Sequence, residues 1–313
     1  MPRLPRPTRP NRLAPYRFTG GTAVLTGAAG GIGEELAYGL AARGSHLVLL
    51  DRDAQGLDVV AEKIRRRRPG LRVDTLFTDL ADLDQLARTA TGILDAHPRI
   101  SLLVNNAGVG LSGTFGQVTA EEFDWVLRVN FQAPVLLTRA LLPRLNESPG
   151  SHVVNVSSLF GLIAPPGQAA YAASKFALRG FSEALRHELA GAGTGVTTVH
   201  PGGVATRIAE SARTGSGVGE AEDREGRDAF ARLLTYPPDR AAELILRGVR
   251  RRRARVLISW TAHAPDVLQR LFPASYLTVM SRLAPGAARH AGSRLGAREA
   301  GAGRGGEEQG SGV

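Results

Sequence analysis

The stretch TAVLTGAAGGIGEELAYGL, residues 22–40, decides the fold. An apolar run (22–26) meets the turn Gly27-Ala28-Ala29-Gly30-Gly31-Ile32-Gly33, and a helical pattern follows at once. Glycines there permit a tight turn and close backbone approach, so amide N–H groups at the helix start can hold a pyrophosphate. A plain strand-to-helix turn would look the same over this stretch alone.

Working outward, the same alternation repeats. Strand candidates are 46–50, 73–77, 101–105, 152–157, 195–200 and 255–259, and most are continuously apolar, as strands covered on both faces are. Helical patterns fill 31–43, 55–67, 82–96, 120–146, 168–191 and 238–251. Seven strands alternating with helices predict a doubly wound parallel sheet with helices on both faces. Residues 204–235 break the alternation and read as a substrate lobe or lid. Residues 261–285 form an apolar helical extension, expected to pack on the body, with a twin subunit or a membrane surface as the alternatives. The Pro- and Arg-rich arm 1–19 and the Gly/Ala/Arg tail 286–313 read as disordered. Residues 20–260 are then one catalytic domain.

Composition narrows the function classes. The chain of 313 residues has no cysteine, which excludes disulfides and thiolate chemistry, and its seven histidines show no close ligand spacing, so no metal is expected. A net charge of +10 suggests nucleic acid until it is divided along the chain. Residues 1–17 contribute five arginines without an acid, residues 286–313 four arginines against three glutamates, and the body keeps only +4. Arginine runs such as 65–68 and 250–253 at helix ends are ordinarily solvated. No nucleic-acid partner is expected. The N-terminus lacks the apolar core of a signal peptide, and no run of about 18 apolar residues occurs. A cytoplasmic protein without required membrane contact is the expectation.

Asp51 ends the second strand, 18 residues beyond Gly33, near the spacing of a carboxylate that bonds the adenosine ribose. It repels a 2′-phosphate and favours NAD over NADP, while adjacent Arg52 softens the preference. Tyr171 and Lys175 stand four apart in a helical segment and share one face. A phenol is a poor base at neutral pH, and a nearby ammonium stabilises its phenolate. Lysine occurs only at Lys63 and Lys175 among 39 basic residues, so position 175 calls for a compact ammonium where arginine would otherwise serve. Ser158 lies 13 residues before Tyr171 at a strand end, where ligand-contacting groups gather and where turn or cap serines are also common. Asn130 interrupts a helix just ahead of Pro134, as a functional amide or as a kink.

The chain resembles the short-chain dehydrogenase/reductases over about residues 18–260. The motifs appear in that family's order: TGxxxGxG at 26–33, Asp79 in TDL, Asn105-Asn106-Ala107-Gly108, Asn130 in RVNFQAP, Ser158 in VNVSS, YAASK and Pro201-Gly202. The resemblance implies a Rossmann-like fold, a catalytic set of Asn130, Ser158, Tyr171 and Lys175, and a nicotinamide cofactor, NAD first with NADP as the alternative. It further implies that Asp79 approaches the adenine ring and that Asn106, Ala107 and Gly108 line the cofactor beside Gly27, Gly31, Ile32 and Gly33. Pro201, Gly202, Val204 and Thr206 would border the nicotinamide. Tyr171 would exchange the substrate's hydroxyl proton, Lys175 would bond the nicotinamide ribose, Ser158 rather than Ser157 would hold the substrate oxygen, and Asn130 would hold a water on the proton path. Taken singly, Asp79 and Asn105 read equally well as caps or turn residues.

Val109, Leu111, Leu159, Phe160 and Leu162 follow the fourth and fifth strands, and they favour a lipophilic secondary alcohol or ketone. The competing readings are a 3-oxoacyl thioester reductase using NADPH and a cofactor-binding sensor or scaffold without turnover. The resemblance also implies a homodimer or homotetramer assembled through helices 120–146 and 168–191.

Overall fold

Continuous apolar runs become strands that are buried on both sides. The computed structural model describes residues 13–283. Its strands are β1 (Thr22–Thr26), β2 (His46–Asp51), β3 (Val73–Phe77), β4 (Leu102–Asn105), β5 (Leu111–Ser112), β6 (His152–Val156), β7 (Gly195–Pro201), β8 (Arg213–Thr214) and β9 (Arg255–Ile258). Seven of them pair in parallel in the order β3-β2-β1-β4-β6-β7-β9, with Val24 opposite Val48 and Leu25 opposite Val104 in the register. The short β5 and β8 pair separately. This is the seven-stranded Rossmann-like sheet the sequence predicts. The winding reverses between β1 and β4, which opens a crevice at the carboxyl ends of those strands.

The helices are α1 (Gly31–Ala42), α2 (Ala54–Arg67), α3 (Leu83–Ala96), α4 (Ala120–Leu127), α5 (Ala133–Asn146), α6 (Ala169–Glu188), α7 (Ile208–Ser211), α8 (Glu220–Ala231), α9 (Pro238–Arg250), α10 (Trp260–Leu271) and α11 (Tyr276–Leu283). Strand alternation sorts the core into two layers. Leu25, Leu47 and Leu49 meet Leu36, Leu57 and Ile245 of α1, α2 and α9 on one face. Val24, Val48 and Leu50 meet Leu86, Leu141 and Leu185 of α3, α5 and α6 on the other.

Two segments depart from the sequence expectations. The single helix expected over 120–146 is divided by a π turn at Arg128–Gln132, because Asn130 bonds away from the helix and Pro134 has no N–H to give. The arm expected to be disordered through residue 19 is docked at its C-terminal end: Tyr16 and Phe18 are buried, and the Tyr16 hydroxyl lies 2.8 Å from Ser101 Oγ. Two aromatics outweigh the surrounding prolines and arginines there. Residues 1–12 and the tail 286–313 lie outside the described residues.

The extension folds as α10 and α11 and is tied to the body. Arg255 grips the buried Asp266 through two nitrogens at 2.5 and 3.1 Å, and the Ala164 amide donates to the Tyr276 hydroxyl. Trp260, Val267 and Leu271 remain exposed. Among the described residues no helix is long and apolar enough to cross a membrane.

Candidate active site

The glycine loop sits at the crevice because β1 delivers it beside the loop after β4. Gly27 has a φ of +69°, and a Cβ there would lie 2.8 Å from Ala107 Cα, so only glycine lets the two loops touch. A Cβ on Gly33 would stand 1.8 Å from the Gly27 carbonyl oxygen. Ile32 leans on the α1 side of the core. Asn106 fastens the junction, donating from Nδ2 to the Thr26 and Gly27 carbonyls, each at 3.1 Å, while the Thr26 hydroxyl accepts from the Asn106 and Ala107 amides.

Helix α1 has Gly30 as its N-cap and no side-chain cap, whereas Asp53 caps α2 and Asp82 caps α3. Its N-terminal amides thus face the crevice without a side chain competing for them. Asp51 is at the expected place, yet its carboxylate is already engaged: one oxygen accepts from the Ala29 amide at 3.0 Å, the other from the Asp53 amide at 3.1 Å. Arg52 is exposed beside it. Asp79 stands past β3 with Oδ1 accepting from the Ala81 amide, so it closes a turn.

Across the crevice, β7 ends at Pro201. Gly202 packs against Ala262, Val204 is buried and bridges to Tyr236, and Thr206 reaches the glycine loop, its Cγ2 3.0 Å from where a Cβ on Gly31 would be.

Helix α6 carries Tyr171 and Lys175 on its buried face toward β6. Lys175 Nζ donates to the Val156 carbonyl at 3.1 Å and lies 5.6 Å from the Tyr171 ring centre. Ser158 is close enough to the Tyr171 hydroxyl to favour its phenolate, and it caps the turn after β6 through the Phe160 amide. Phe160 meets the Tyr171 ring edge-on with centroids 6.0 Å apart. Asn130, fully buried, accepts the Val109 amide at 2.8 Å and donates to the Val109 carbonyl and to Ser174 Oγ. Ser174 in turn donates to the Tyr171 carbonyl. The four expected side chains therefore converge. Asn130 is both the break in the helix and the clamp on the loop after β4.

Burial dominates the electrostatics. It pushes Lys175 from the ordinary lysine range down to about 8. It also raises Tyr171, against a smaller lowering by the nearby Ser158 hydroxyl. In the protein alone the net shift of the phenol is upward, because burial outweighs the neighbours that favour its phenolate.

Several contributors carry no sequence signal of their own. His200, just before Pro201, is buried and has Nδ1 3.0 Å from the Ser158 carbonyl, which it steadies; burial holds the ring neutral, its pKa lowered to about 4. Ser157 donates to the Lys175 carbonyl, and Ser174 links Asn130 to Tyr171. Of the expected lining residues, Val109, Leu159 and Phe160 are half-buried at the crevice. Leu111 and Leu162 are fully buried and belong to the core.

A sequence profile of the short chain dehydrogenase family matches residues 21–217. The chain is 38% identical over 264 residues to SadH of Mycobacterium tuberculosis, covering 83% of this chain and 93% of that protein. It is similar to a short chain dehydrogenase/reductase of Burkholderia phymatum solved in complex with NAD, at a TM-score of 0.74 and 30% identity, covering 82% of this chain and 95% of that one. A short-chain dehydrogenase of Sphingobium yanoikuyae solved with NADPH matches at a TM-score of 0.68 and 30% identity, covering 83% and 95%.

Proposed function

This chain belongs to the short-chain dehydrogenase family of oxidoreductases, and on that premise we propose that it interconverts a lipophilic secondary alcohol and its ketone with a nicotinamide dinucleotide. The observation that carries the reading is the convergence of Tyr171, Ser158, Lys175 and Asn130 at the crevice that the glycine loop borders. The residues present fit the cofactor: an uncapped helix start for the pyrophosphate, glycines that keep the loop free of side chains, and Asp51 at the end of β2 for the adenosine ribose. Gly27, Gly31, Ile32 and Gly33 would hold the phosphates, Asn106, Ala107 and Gly108 the middle, and Pro201, Gly202, Val204 and Thr206 the nicotinamide end. Arg52 and Asp79 would flank the adenosine. Asp51 favours NAD, with NADP the alternative.

A bound nicotinamide supplies the hydride acceptor or donor. The protein handles the proton. Tyr171 Oη takes the hydroxyl proton of an alcohol during oxidation and returns it during ketone reduction, while Ser158 Oγ holds the same substrate oxygen. Lys175, with ammonium donors beyond its bond to Val156, holds the nicotinamide ribose and offers positive charge to the phenolate. A Cβ on Gly108 would lie 3.0 Å from Lys175 Nζ and 3.3 Å from Asn130 Oδ1, so the glycine leaves open the gap through which the proton path passes.

Val109, Leu159 and Phe160 give the substrate an apolar wall. Helix α8, which buries no residue, is tied to the body by the Gln117–Glu222 bond, and the loop before it by the Ser216 amide donating to Glu122. Those bonds suit a lid that opens on the lobe 204–235. On α6, Ala173, Phe176, Gly180 and Ala184 form an exposed stripe of small and apolar residues, which supports a homodimer or homotetramer built across this helix.

The test is a panel of secondary alcohols and ketones assayed by nicotinamide absorbance with both cofactors. Tyr171→Phe is expected to lose about a hundredfold or more in turnover. Full activity in that variant refutes the assignment.

A further inference from the structure

Arg207 has no part in the chemistry described above, yet its position is distinctive. It follows Thr206 on the loop leaving β7, and its guanidinium reaches over the glycine loop: a Cβ built on Gly30 would lie 2.8 Å from its terminal nitrogen. Residue 30 has no side chain, and the guanidinium fills the space one would take. The same nitrogen is 3.9 Å from Asp53 Oδ2, with the arginine side chain 68% exposed. An exposed pair at that distance contributes little, so neither packing nor the ion pair accounts for an arginine held there. Asp53 caps α2 two residues past Asp51, the carboxylate at the end of β2 where the adenosine ribose is expected. Asp51 already accepts two backbone amides, which offsets the charge that would otherwise repel a phosphate.

We propose that Arg207 determines cofactor specificity: its guanidinium receives the 2′-phosphate of NADP(H), and it rests against Asp53 when the ribose carries no phosphate. The proposal rests on the reading of this crevice as the dinucleotide site. It assigns the cation to a loop on the opposite wall, in place of a basic side chain on the glycine loop itself.

The test is a fluorescence titration of the full chain with NADPH and with NADH, without substrate, so that binding is read apart from turnover. Arg207→Gln is expected to raise the Kd for NADPH about tenfold while moving that for NADH by less than about twofold. Asp53→Asn, which can still cap α2, is expected to tighten NADPH by about threefold. Added salt should narrow the wild-type advantage over Arg207→Gln for NADPH. Equal weakening of both cofactors by Arg207→Gln, or no change in either, overturns the proposal, and so does a wild-type protein that binds NADH but not NADPH. A wild-type protein that binds neither shows instead that the crevice reading itself fails, and the proposal falls with it.

Discussion

Tyr171 and Lys175 are four residues apart in the sequence, but their environment decides how they titrate. Holding the Lys175 ammonium in a buried site, with its pKa lowered to about 8, costs about 3 kcal/mol of folding free energy near neutral pH. Lys175→Met is therefore expected to abolish turnover without lowering the melting temperature of the cofactor-free protein. The sign of the pH dependence follows. Between about pH 8 and 10 the unfolded chain binds more protons at this position than the folded one, so the wild type gains stability as pH rises. Melting curves of both proteins across that window should show the gain in the wild type and its absence in the variant; parallel curves would place the ammonium in water. Gly108→Ala probes the neighbouring gap. With Lys175 Nζ 3.0 Å and Asn130 Oδ1 3.3 Å from the new methyl, turnover is expected to fall about tenfold or more, with little change in stability. Wild-type turnover in that variant would move the proton path elsewhere. YAASK and the glycine loop made these residues legible in the sequence. The upward shift of the tyrosine was not legible, because desolvation depends on what packs around a side chain and not on its neighbours in the chain.

Elements are joined by buried polar hubs that the periodic pattern does not show. Arg252, with a φ of +54°, donates to the Ala14, Gly150 and Ser151 carbonyls and to His152 Nδ1, and it stacks on Tyr16. That donor leaves the proton of a neutral His152 on Nε2, which bonds Thr197 Oγ1 at 2.7 Å. Burial and the adjacent guanidinium push His152 down to about 3, so between about pH 6.5 and 3 the unfolded state binds the extra proton and stability falls as pH falls. Replacing His152 by Gln should flatten the fall in melting temperature over that range; an unchanged slope would assign acid sensitivity to other groups. The link between β9 and α10 is similar. Asp266→Asn leaves the Arg255 guanidinium without its two-point partner, and a loss of about 2 kcal/mol is expected from denaturant titration. No loss there would show that the extension is held by its apolar contacts alone. Strand positions were legible to within a residue or two because a parallel sheet buried on both faces needs unbroken apolar runs. An interruption at Asn130 ahead of Pro134 was legible too, but its form as a π turn was not, since Asn130 has to find Val109 and Ser174 in space before it can unwind the helix.

At the scale of the whole molecule, the outward stripe of α6 gives an expectation for assembly. Gly180→Arg, at an exposed position, should convert a dimer or tetramer to monomer in sizing chromatography while leaving the fold intact; an unchanged elution volume would direct the search for an interface to another face. The arrangement of the sheet and the place of its crevice follow from contiguous stretches: apolar runs, a glycine turn, capping aspartates and the alternation of strand with helix. Those are local backbone and burial requirements, so the sequence alone determined the fold class, and the order of its motifs the family. Only the tertiary structure decided that Tyr16 and Phe18 anchor an arm of prolines and arginines, that Leu111 and Leu162 are core rather than pocket, and that Arg207 lies over Gly30. Each of these is a contact between segments distant in the chain, set by how loops return to the body, and no period or spacing within either segment encodes it.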